Sequence, residues 1–362
     1  MSDSSGHDSP GRSASGTRAA PEAADAAHRR DANGRARDLA LVTDPAMARH
    51  DPHPSLPEQP RRLRTVIEAL QTTGQREDMI ALEARQATDD ELLRVHTAPY
   101  LALVRREVTA GRRMLSTGDT VIHEPSLDAA LLAAGACTAA VDAVCGDHPA
   151  RRAFCVVRPP GHHAGPDYGM GFCLFNNIAV AARHALSAHG LDRVAIIDWD
   201  VHHGNGTQDV FYHDGDVFFF SLHQSPWYPG TGAEDETGAE DGRGSTMNRP
   251  LPAGSGRRQV EPIFHRQLLP ALKQFAPQLI LISAGFDSRQ GDPLGQFELI
   301  DRDFFDLTRM LLDFAADHGG GRVVSVLEGG YALPGLASAS TAHVAALLGR
   351  ADPPDMAAEQ PA

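Results

Sequence analysis

The chain has 362 residues, of which 33 are Lys or Arg and 47 are Asp or Glu, so its net charge is −14 with neutral histidines. It contains no Lys/Arg-rich run, which argues against a nucleic-acid surface, and the acidic balance would instead attract a small cationic substrate. No segment has the ~20 apolar residues of a membrane span or the apolar region of a signal peptide, so we expect no membrane partner. The four cysteines form no CxxC pair, and we expect a reduced, cytoplasmic protein.

Both ends of the chain are predicted to lie outside the folded part. Residues 1–37 are rich in Ser, Ala, Gly, Arg and Asp and contain almost no large apolar residue, so we expect a disordered tail. A single folded domain is expected over residues 38–350, followed by a C-terminal tail over residues 351–362.

From Leu39 onward, apolar runs and amphipathic segments alternate. The strand LALVTD leads into a Pro- and His-rich loop, and RRLRTVIEALQTTG starts a helix that Gly74 ends. Ser126 is the predicted N-cap of an Ala-rich helix over residues 127–145. Further strands are expected at 153–157, 193–200, 217–223, 278–283 and 322–327, further helices near 177–189, 259–275, 301–317 and 334–348, and one long loop at 233–256. This alternation predicts an α/β fold with a central, mainly parallel sheet and helices on both faces.

The segment RVAIIDWDVHHGNGTQ, residues 193–208, carries a dense group of acids and imidazoles. If its strand stays extended, Asp198, Asp200 and His202 point to one face while Trp199 points to the other. Such a row of acids and imidazole is costly to bury without a cation or hydrogen-bond partners, so the segment predicts a metal site. A solvated turn with an N-capping Asp is the alternative.

Three other predicted strands end in similar polar, Gly-bounded segments. These segments are RPPGHHAGPDYGMGF, AGFDSRQGDP and EGGY. Because the carboxyl ends of parallel strands meet at one edge of a sheet, we expect all four segments to converge there. The predicted ligands of a divalent transition metal with open positions are Asp200, His202 and Asp287. One of the pair His162 and His163 would act as general base, and Tyr331 would donate to an oxyanion.

Seven motifs, taken in order, resemble the histone deacetylase superfamily, which includes bacterial acetoin-utilisation-type proteins and acetylpolyamine amidohydrolases. They are RPPGHHA, GFCLFNNIAVAA, DWDVHHGNGTQ, SLHQ, YPGTG, SAGFDSRQGDPLG and LEGGY, and the similarity extends over roughly residues 39–349. The resemblance implies a three-layer arginase/deacetylase fold, one Zn²⁺ per chain and a structural K⁺. Fe²⁺ or Co²⁺ in place of Zn²⁺ stays open, because a site of two Asp and one His accepts several metals.

The resemblance also implies a role for each site residue. The zinc ligands would be Asp200, His202 and Asp287. The catalytic group would be His163 as general base, His162 as its electrostatic partner paired with Asp198, Asn205 beside His163, and Tyr331 at the oxyanion. The tunnel residues would be Phe172, Tyr228 and Leu294, with Arg62 below the metal. The potassium site would use Asp198, Ser221 and the carbonyls of Asp200, His202 and Leu222.

Departures from the family pattern indicate the subclass. Asn205 stands where class I histone deacetylases have Asp. In having Asn at this position, the chain resembles class II and most bacterial members. Tyr331 is present, unlike the His of vertebrate class IIa enzymes, so activity on acetyl-lysine is expected. Leu294 stands where polyamine-selective class IIb relatives carry Glu, and Leu cannot pair with a secondary ammonium.

We therefore expect hydrolysis of an acetylated or otherwise acylated amine, with acetyl-lysine in proteins or a small analogue as substrate. The resemblance leaves two alternatives open: an acetylpolyamine amidohydrolase, and a non-catalytic protein that binds an acyl ligand. A homo-oligomer is a further expectation.

Overall fold

Eight parallel strands form one sheet in the structure, a computed structural model that describes residues 37–354. The predicted tails lie outside these residues, apart from Arg37 and residues 351–354. The strands are β1 (Leu39–Val42), β2 (Ile80–Leu82), β3 (Arg152–Cys155), β4 (Val194–Asp198), β5 (Val217–Gln224), β6 (Thr246–Leu251), β7 (Leu279–Ala284) and β8 (Val323–Leu327). Their order across the sheet is β2, β1, β3, β8, β7, β4, β5, β6. The predicted parallel α/β sheet is confirmed.

Helices pack around this sheet. They are α1 (Arg61–Thr72), α2 (Asp89–Leu93), α3 (Ala98–Thr109), α4 (Ser126–Cys145), α5 (Asn177–His189), α6 (Asn205–Phe211), α7 (Arg257–Ile263), α8 (Leu269–Phe275), α9 (Asp301–His318) and α10 (Leu333–Leu347). α4 packs on α5 and covers β1, β3 and β8, while α10 packs on α9 and α1. The central strands β4, β7 and β8 are buried along their whole length, which is why they are apolar throughout and not alternating.

Helix α4 is long and apolar enough to cross a membrane by length and composition, but 67% of its apolar window is buried inside the fold. Its contacts with three strands account for that composition. The prediction that Ser126 caps this helix is wrong, because Ser126 is its first helical residue and Pro125 is the N-cap. The Ser126 hydroxyl instead accepts the His123 backbone N–H at 2.9 Å.

Two other predictions are corrected by the structure. Residues 233–256 are not one loop, since they contain β6, which pairs with β5. As an edge strand β6 tolerates Pro250 and is only partly buried, so it lacks the apolar pattern of an inner strand. The helix expected over residues 259–275 begins at Arg257 and is divided by a π-helical turn at Phe264–Leu268.

Candidate active site

Asp200, His202 and Asp287 come together beyond the carboxyl ends of β4 and β7. Their ligand atoms all lie within 4.8 Å of one another, and the three side chains are buried. His202 Nδ1 is 2.9 Å from Asp200 Oδ1 and 3.3 Å from Asp287 Oδ2. Trp199, immediately before Asp200 in the chain, points away and packs against His343 of α10 with ring centroids 5.7 Å apart. Trp199 thus points away from the ligands as expected, although the strand ends at Asp198 and the chain bends at residues 200–202.

This group fits a divalent cation. Backbone N–H groups of Val201 and Gly329 donate to Asp287 Oδ1 at 2.9 Å and to Asp200 Oδ2 at 2.8 Å, which orients both carboxylates. Asp287 Oδ2 is buried and accepts no hydrogen bond from the residues that the structure describes. Burial and the Asp200 carboxylate raise the pKa of Asp287 to about 7. A bound cation would relieve the repulsion between the two carboxylates. A Cβ at residue 329 would lie 1.9 Å from Asp287 Oδ2, so this close approach requires Gly.

His162 and His163 lie beside the three ligands, on the loop after β3. His162 Nδ1 is 2.9 Å from Asp198 Oδ2, and His163 Nδ1 is 2.7 Å from Asn205 Oδ1. Burial opposes protonation of His162, but Asp198 and Asp200 outweigh it and raise its pKa to about 10. Burial, followed by the charge on His162, holds the pKa of His163 well below its ordinary value. His162 is thus the cation, and His163 is the neutral imidazole that a general base must be.

Tyr331 faces the site from the turn after β8. Arg62, fully buried, donates from Nε to the Gly330 carbonyl at 2.7 Å and from Nη2 to the Glu328 carbonyl, and its Cζ lies 4.8 Å from the centroid of the Tyr331 ring. The Tyr331 N–H donates to Asp292 at 2.7 Å. Burial raises the pKa of Tyr331 well above its ordinary value, so the phenol keeps its proton and remains a hydrogen-bond donor.

A pocket of about 280 Å³ leads from the surface to these residues. The three expected tunnel residues, Phe172, Tyr228 and Leu294, all line it. The Phe172 and Tyr331 ring centroids are 5.9 Å apart, and those of Tyr228 and His163 are 5.3 Å apart. Two aromatic rings therefore flank the passage to His163 and the Tyr331 phenol.

Comparison with known proteins identifies the family. The histone deacetylase domain model matches residues 56–347. The chain belongs to the histone deacetylase family. This deacetylase domain is 44% identical over 281 residues to the histone deacetylase-like amidohydrolase of Pseudomonas aeruginosa, which covers 77% of this chain and 72% of the relative. It is 39% identical over 363 residues to the chloroplastic histone deacetylase 10 of Oryza sativa, with 91% of this chain and 82% of the relative covered.

The same domain is 40% identical over 309 residues to the human polyamine deacetylase HDAC10, but that match spans 82% of this chain and only 45% of the relative. The crystal structure of the HDA15 HD domain superimposes with a TM-score of 0.82 at 38% identity, covering 87% of this chain and 90% of that one. These findings confirm the arginase/deacetylase fold and make the chain a hydrolase of the deacetylase and amidohydrolase type.

Of the expected potassium residues, Asp198 ends β4, the strand that leads into Asp200 and His202, whereas Ser221 and Leu222 lie on the neighbouring strand β5. Asp198 at the end of β4 is paired in register with Ser221 of β5, and Leu222 follows it. Asp198 Oδ1 accepts the Asp200 N–H at 3.0 Å, and the Ser221 hydroxyl is 3.0 Å from His223 Nδ1. A role for these residues in binding K⁺ stays a prediction.

Sequence reasoning missed several side chains around the site. At the pocket mouth, Asp119 accepts the Tyr228 hydroxyl at 3.1 Å, and Trp227 Nε1 donates to the Leu294 carbonyl at 2.8 Å. Below the pocket, Glu328 accepts the Gly161 N–H at 2.7 Å, which ties the turn after β8 to the histidine loop. The signal for Glu328 was present in LEGGY, whereas Asp119 lies in no motif.

A second group of potential ligands, Asp142, His184 and His189, joins α4 to α5. Both imidazole Nε2 atoms lie within hydrogen-bond distance of Asp142 Oδ1, at 2.6 and 2.8 Å. On the other side of the ring, Arg94 Nη1 lies 3.2 Å and Glu91 Oε1 lies 3.5 Å from His184 Nδ1. Hydrogen bonds within the protein account for this group.

Proposed function

We propose that the chain is a zinc-dependent deacetylase that hydrolyses acetyl-lysine, in a protein or a small analogue, to acetate and a free amine. The observation that carries this proposal is that Asp287 Oδ2 is buried and accepts no hydrogen bond from the described residues. This oxygen belongs to the group of three candidate ligands at the base of the pocket, where a neutral His163 and a protonated Tyr331 also lie. Asp200, His202 and Asp287 would hold the zinc ion. When bound, zinc would supply Lewis acidity toward the amide carbonyl and acidify a water molecule.

The chain's own residues would perform the remaining steps. His163 Nδ1 faces the Asn205 oxygen, so its proton sits there and Nε2 is free to accept a proton from the attacking water. The cationic His162 would stabilise negative charge nearby. The Tyr331 hydroxyl would donate to the oxygen of the tetrahedral adduct, and Arg62 holds the Tyr331 turn through two backbone carbonyls.

The pocket favours acetyl-lysine. Phe172 and Tyr228 would enclose the aliphatic side chain of the substrate, and Leu294 adds an apolar surface to the same pocket. Hydrolysis of acetylpolyamines is the second candidate, because Asp119 places a carboxylate in the lining that would attract a substrate ammonium. The human polyamine deacetylase HDAC10, which is 40% identical to this chain over 309 residues, also supports this candidate.

One matched panel tests both candidates. Purified protein loaded with Zn²⁺ would be given an acetyl-lysine peptide, longer acyl-lysine peptides, acetylspermidine and acetylputrescine, with a chelator control and with elemental analysis of bound metal. We expect one zinc per chain and chelator-sensitive amine release, fastest from acetyl-lysine. The variant Leu294→Glu should shift preference toward acetylspermidine. Zinc-loaded protein that releases amine from no member would contradict the enzyme and support the binding-protein alternative.

We also propose a structural K⁺ near Asp198 and Ser221, a homo-oligomer and a cytoplasmic location. The potassium proposal predicts a higher melting temperature in KCl than in NaCl at equal ionic strength. Sedimentation of the full chain would measure its oligomeric state, and fractionation of the source cells would test the location.

A further inference from the structure

A chain of hydrogen bonds runs outward from His163 through three other side chains. His163 Nδ1 lies 2.7 Å from Asn205 Oδ1, and Asn205 Nδ2 donates to the Tyr168 hydroxyl oxygen at 3.0 Å. The Tyr168 hydroxyl in turn donates to Asp209 Oδ2 at 2.5 Å. His163 and Asn205 are buried, Tyr168 is half-buried and Asp209 is exposed. The path therefore connects the expected base to solvent.

Local structure brings the members of this chain together. Asn205 and Asp209 are four residues apart on α6, so both side chains lie on one face of the helix. Tyr168 reaches them from the loop after β3, where its backbone carbonyl accepts the Gly165 N–H at 2.9 Å. A Cβ at residue 165 would lie 2.3 Å from the Tyr168 ring, so the ring rests directly on Gly165. The ring is thereby held where its hydroxyl bridges the two α6 side chains.

The donor and the acceptor of each hydrogen bond in this chain can be assigned starting from Asp209, its solvent-exposed end. Asp209 Oδ2 accepts from the Tyr168 hydroxyl, so the hydroxyl proton is used in that bond and the hydroxyl oxygen accepts from Asn205. The NH₂ group of the Asn205 amide then faces Tyr168, with Met170 Sδ as a weaker acceptor at 3.5 Å. The amide oxygen faces His163, which consequently carries its proton on Nδ1 and leaves Nε2 free.

The Asn205 amide must be held in one orientation for its oxygen to face His163, whereas a carboxylate at residue 205 would need no such orientation. If the Asn205 amide turned over, its NH₂ would face His163 Nδ1, the proton would move to Nε2 and the imidazole would lose its function as a base. Either oxygen of a carboxylate could accept from Nδ1 in both orientations. Orientation by Tyr168 and Asp209 is therefore required when residue 205 is Asn and would not be required if it were Asp.

We propose that Tyr168 and Asp209 are positioning residues that fix the tautomer of His163 by orienting the Asn205 amide. The proposal rests on the proposed function, in which His163 is the general base. Tyr168 and Asp209 would act only through Asn205, so their removal should lower kcat and leave KM and the zinc content unchanged.

The test is a double-mutant cycle. Loss of one orienting hydrogen bond in Tyr168→Phe should lower kcat about 5- to 10-fold. The same substitution in an Asn205→Asp background should change kcat less than twofold, because a carboxylate needs no orientation. Asp209→Ala should reproduce the Tyr168→Phe loss in the wild-type background. Asp167→Ala is the matched control, since it removes an exposed carboxylate next to Tyr168 and should leave kcat unchanged.

An equal loss of kcat in both backgrounds would indicate a general structural role and overturn the proposal, as would an unchanged kcat in Tyr168→Phe. A readout independent of turnover is the ¹⁵N spectrum of histidine-labelled protein, with His163 assigned by its loss in His163→Ala. We expect the Nδ1–H tautomer in the wild type and an increased Nε2–H population in Tyr168→Phe. If the wild type hydrolyses no substrate, the proposed function fails, and these spectra alone decide the tautomer assignment.

Discussion

Replacing Glu58 with Gln should destabilise the whole domain, because Glu58 compensates two buried guanidinium groups. Its carboxylate accepts from Arg158 Nε at 2.8 Å and Nη2 at 2.7 Å, and from Arg62 Nη1 at 3.2 Å. All three side chains are buried. A neutral amide would leave two cations inside the protein with no carboxylate between them.

The magnitude follows from the pKa of Glu58. Burial favours the neutral acid, but Arg158 outweighs it, and the pKa falls from 4.5 to about 2. At 1.36 kcal/mol per pKa unit this corresponds to about 3 kcal/mol of folding free energy. Because the folded-state pKa is depressed, this stabilisation is complete above pH 4.5 and is lost as the pH falls toward 2. Removing one partner of a buried ion pair costs about 3–5 kcal/mol, which agrees.

Urea unfolding monitored by tryptophan fluorescence would measure the effect, with the buried Trp199 as reporter. We expect Glu58→Gln to lower the free energy of unfolding by about 3 kcal/mol at pH 7 and by less at pH 3, because below pH 4.5 the unfolded wild-type chain binds a proton at Glu58 that the folded state does not. Glu68→Gln is the control, since Glu68 is exposed on α1 and its loss should change stability by no more than about 0.5 kcal/mol. A Glu58→Gln variant as stable as this control would refute the reasoning.

Three further predictions concern the metal, the phenol and acid stability. Asp287→Ala should lose bound zinc as measured by elemental analysis, and full zinc content would show that the ligand set is wrong. Tyr331→Phe should keep its zinc while kcat falls ~10²-fold or more; an unchanged kcat would exclude Tyr331 from the oxyanion site. Burial lowers the pKa of His50 to about 4 and that of His343 to about 3, so these folded-state imidazoles bind fewer protons than the unfolded ones. Stability should therefore fall as the pH drops from 6.5 toward 4, and His343→Gln should reduce that slope.

Local signals in the sequence were sufficient for the inner elements of the fold. Helix α5 lies at the residues predicted for it from the helical pattern, 177–189, and in the structure Asn176 caps its N-terminus while Gly190, at φ +62°, ends it. The inner strands were visible as apolar runs, since both faces of the sheet are covered. β6 was missed because it does not read as an apolar run. As an edge strand it pairs on one side only and is partly buried, so it can contain Pro250 and polar residues.

Long-range pairs could not be predicted from such patterns. Glu58 and Arg158 are 100 residues apart, and nothing near either residue indicates its partner. Asp119 likewise reaches the pocket from a loop far from any motif and accepts the Gly171 N–H at 2.7 Å. The candidate ligands, the histidine pair and Tyr331 were predictable because they lie in segments that follow apolar strands, so one rule about strand ends placed them at the same edge.

Strand order explains why that edge holds a buried site. The chain segments with the motifs follow β3, β8, β7 and β4, which are far apart in sequence but are four consecutive strands in the middle of the sheet. Their carboxyl ends are flanked on both sides by further strands, so the polar residues at these ends are buried. The buried carboxylates must therefore accept hydrogen bonds from groups of the protein itself. The backbone N–H groups of Gly161, Val201 and Gly329 provide this, each donating to a carboxylate carried by a different strand end. The same hydrogen bonds that satisfy the buried acids therefore hold the three candidate ligands, the histidine pair and Tyr331 in one arrangement.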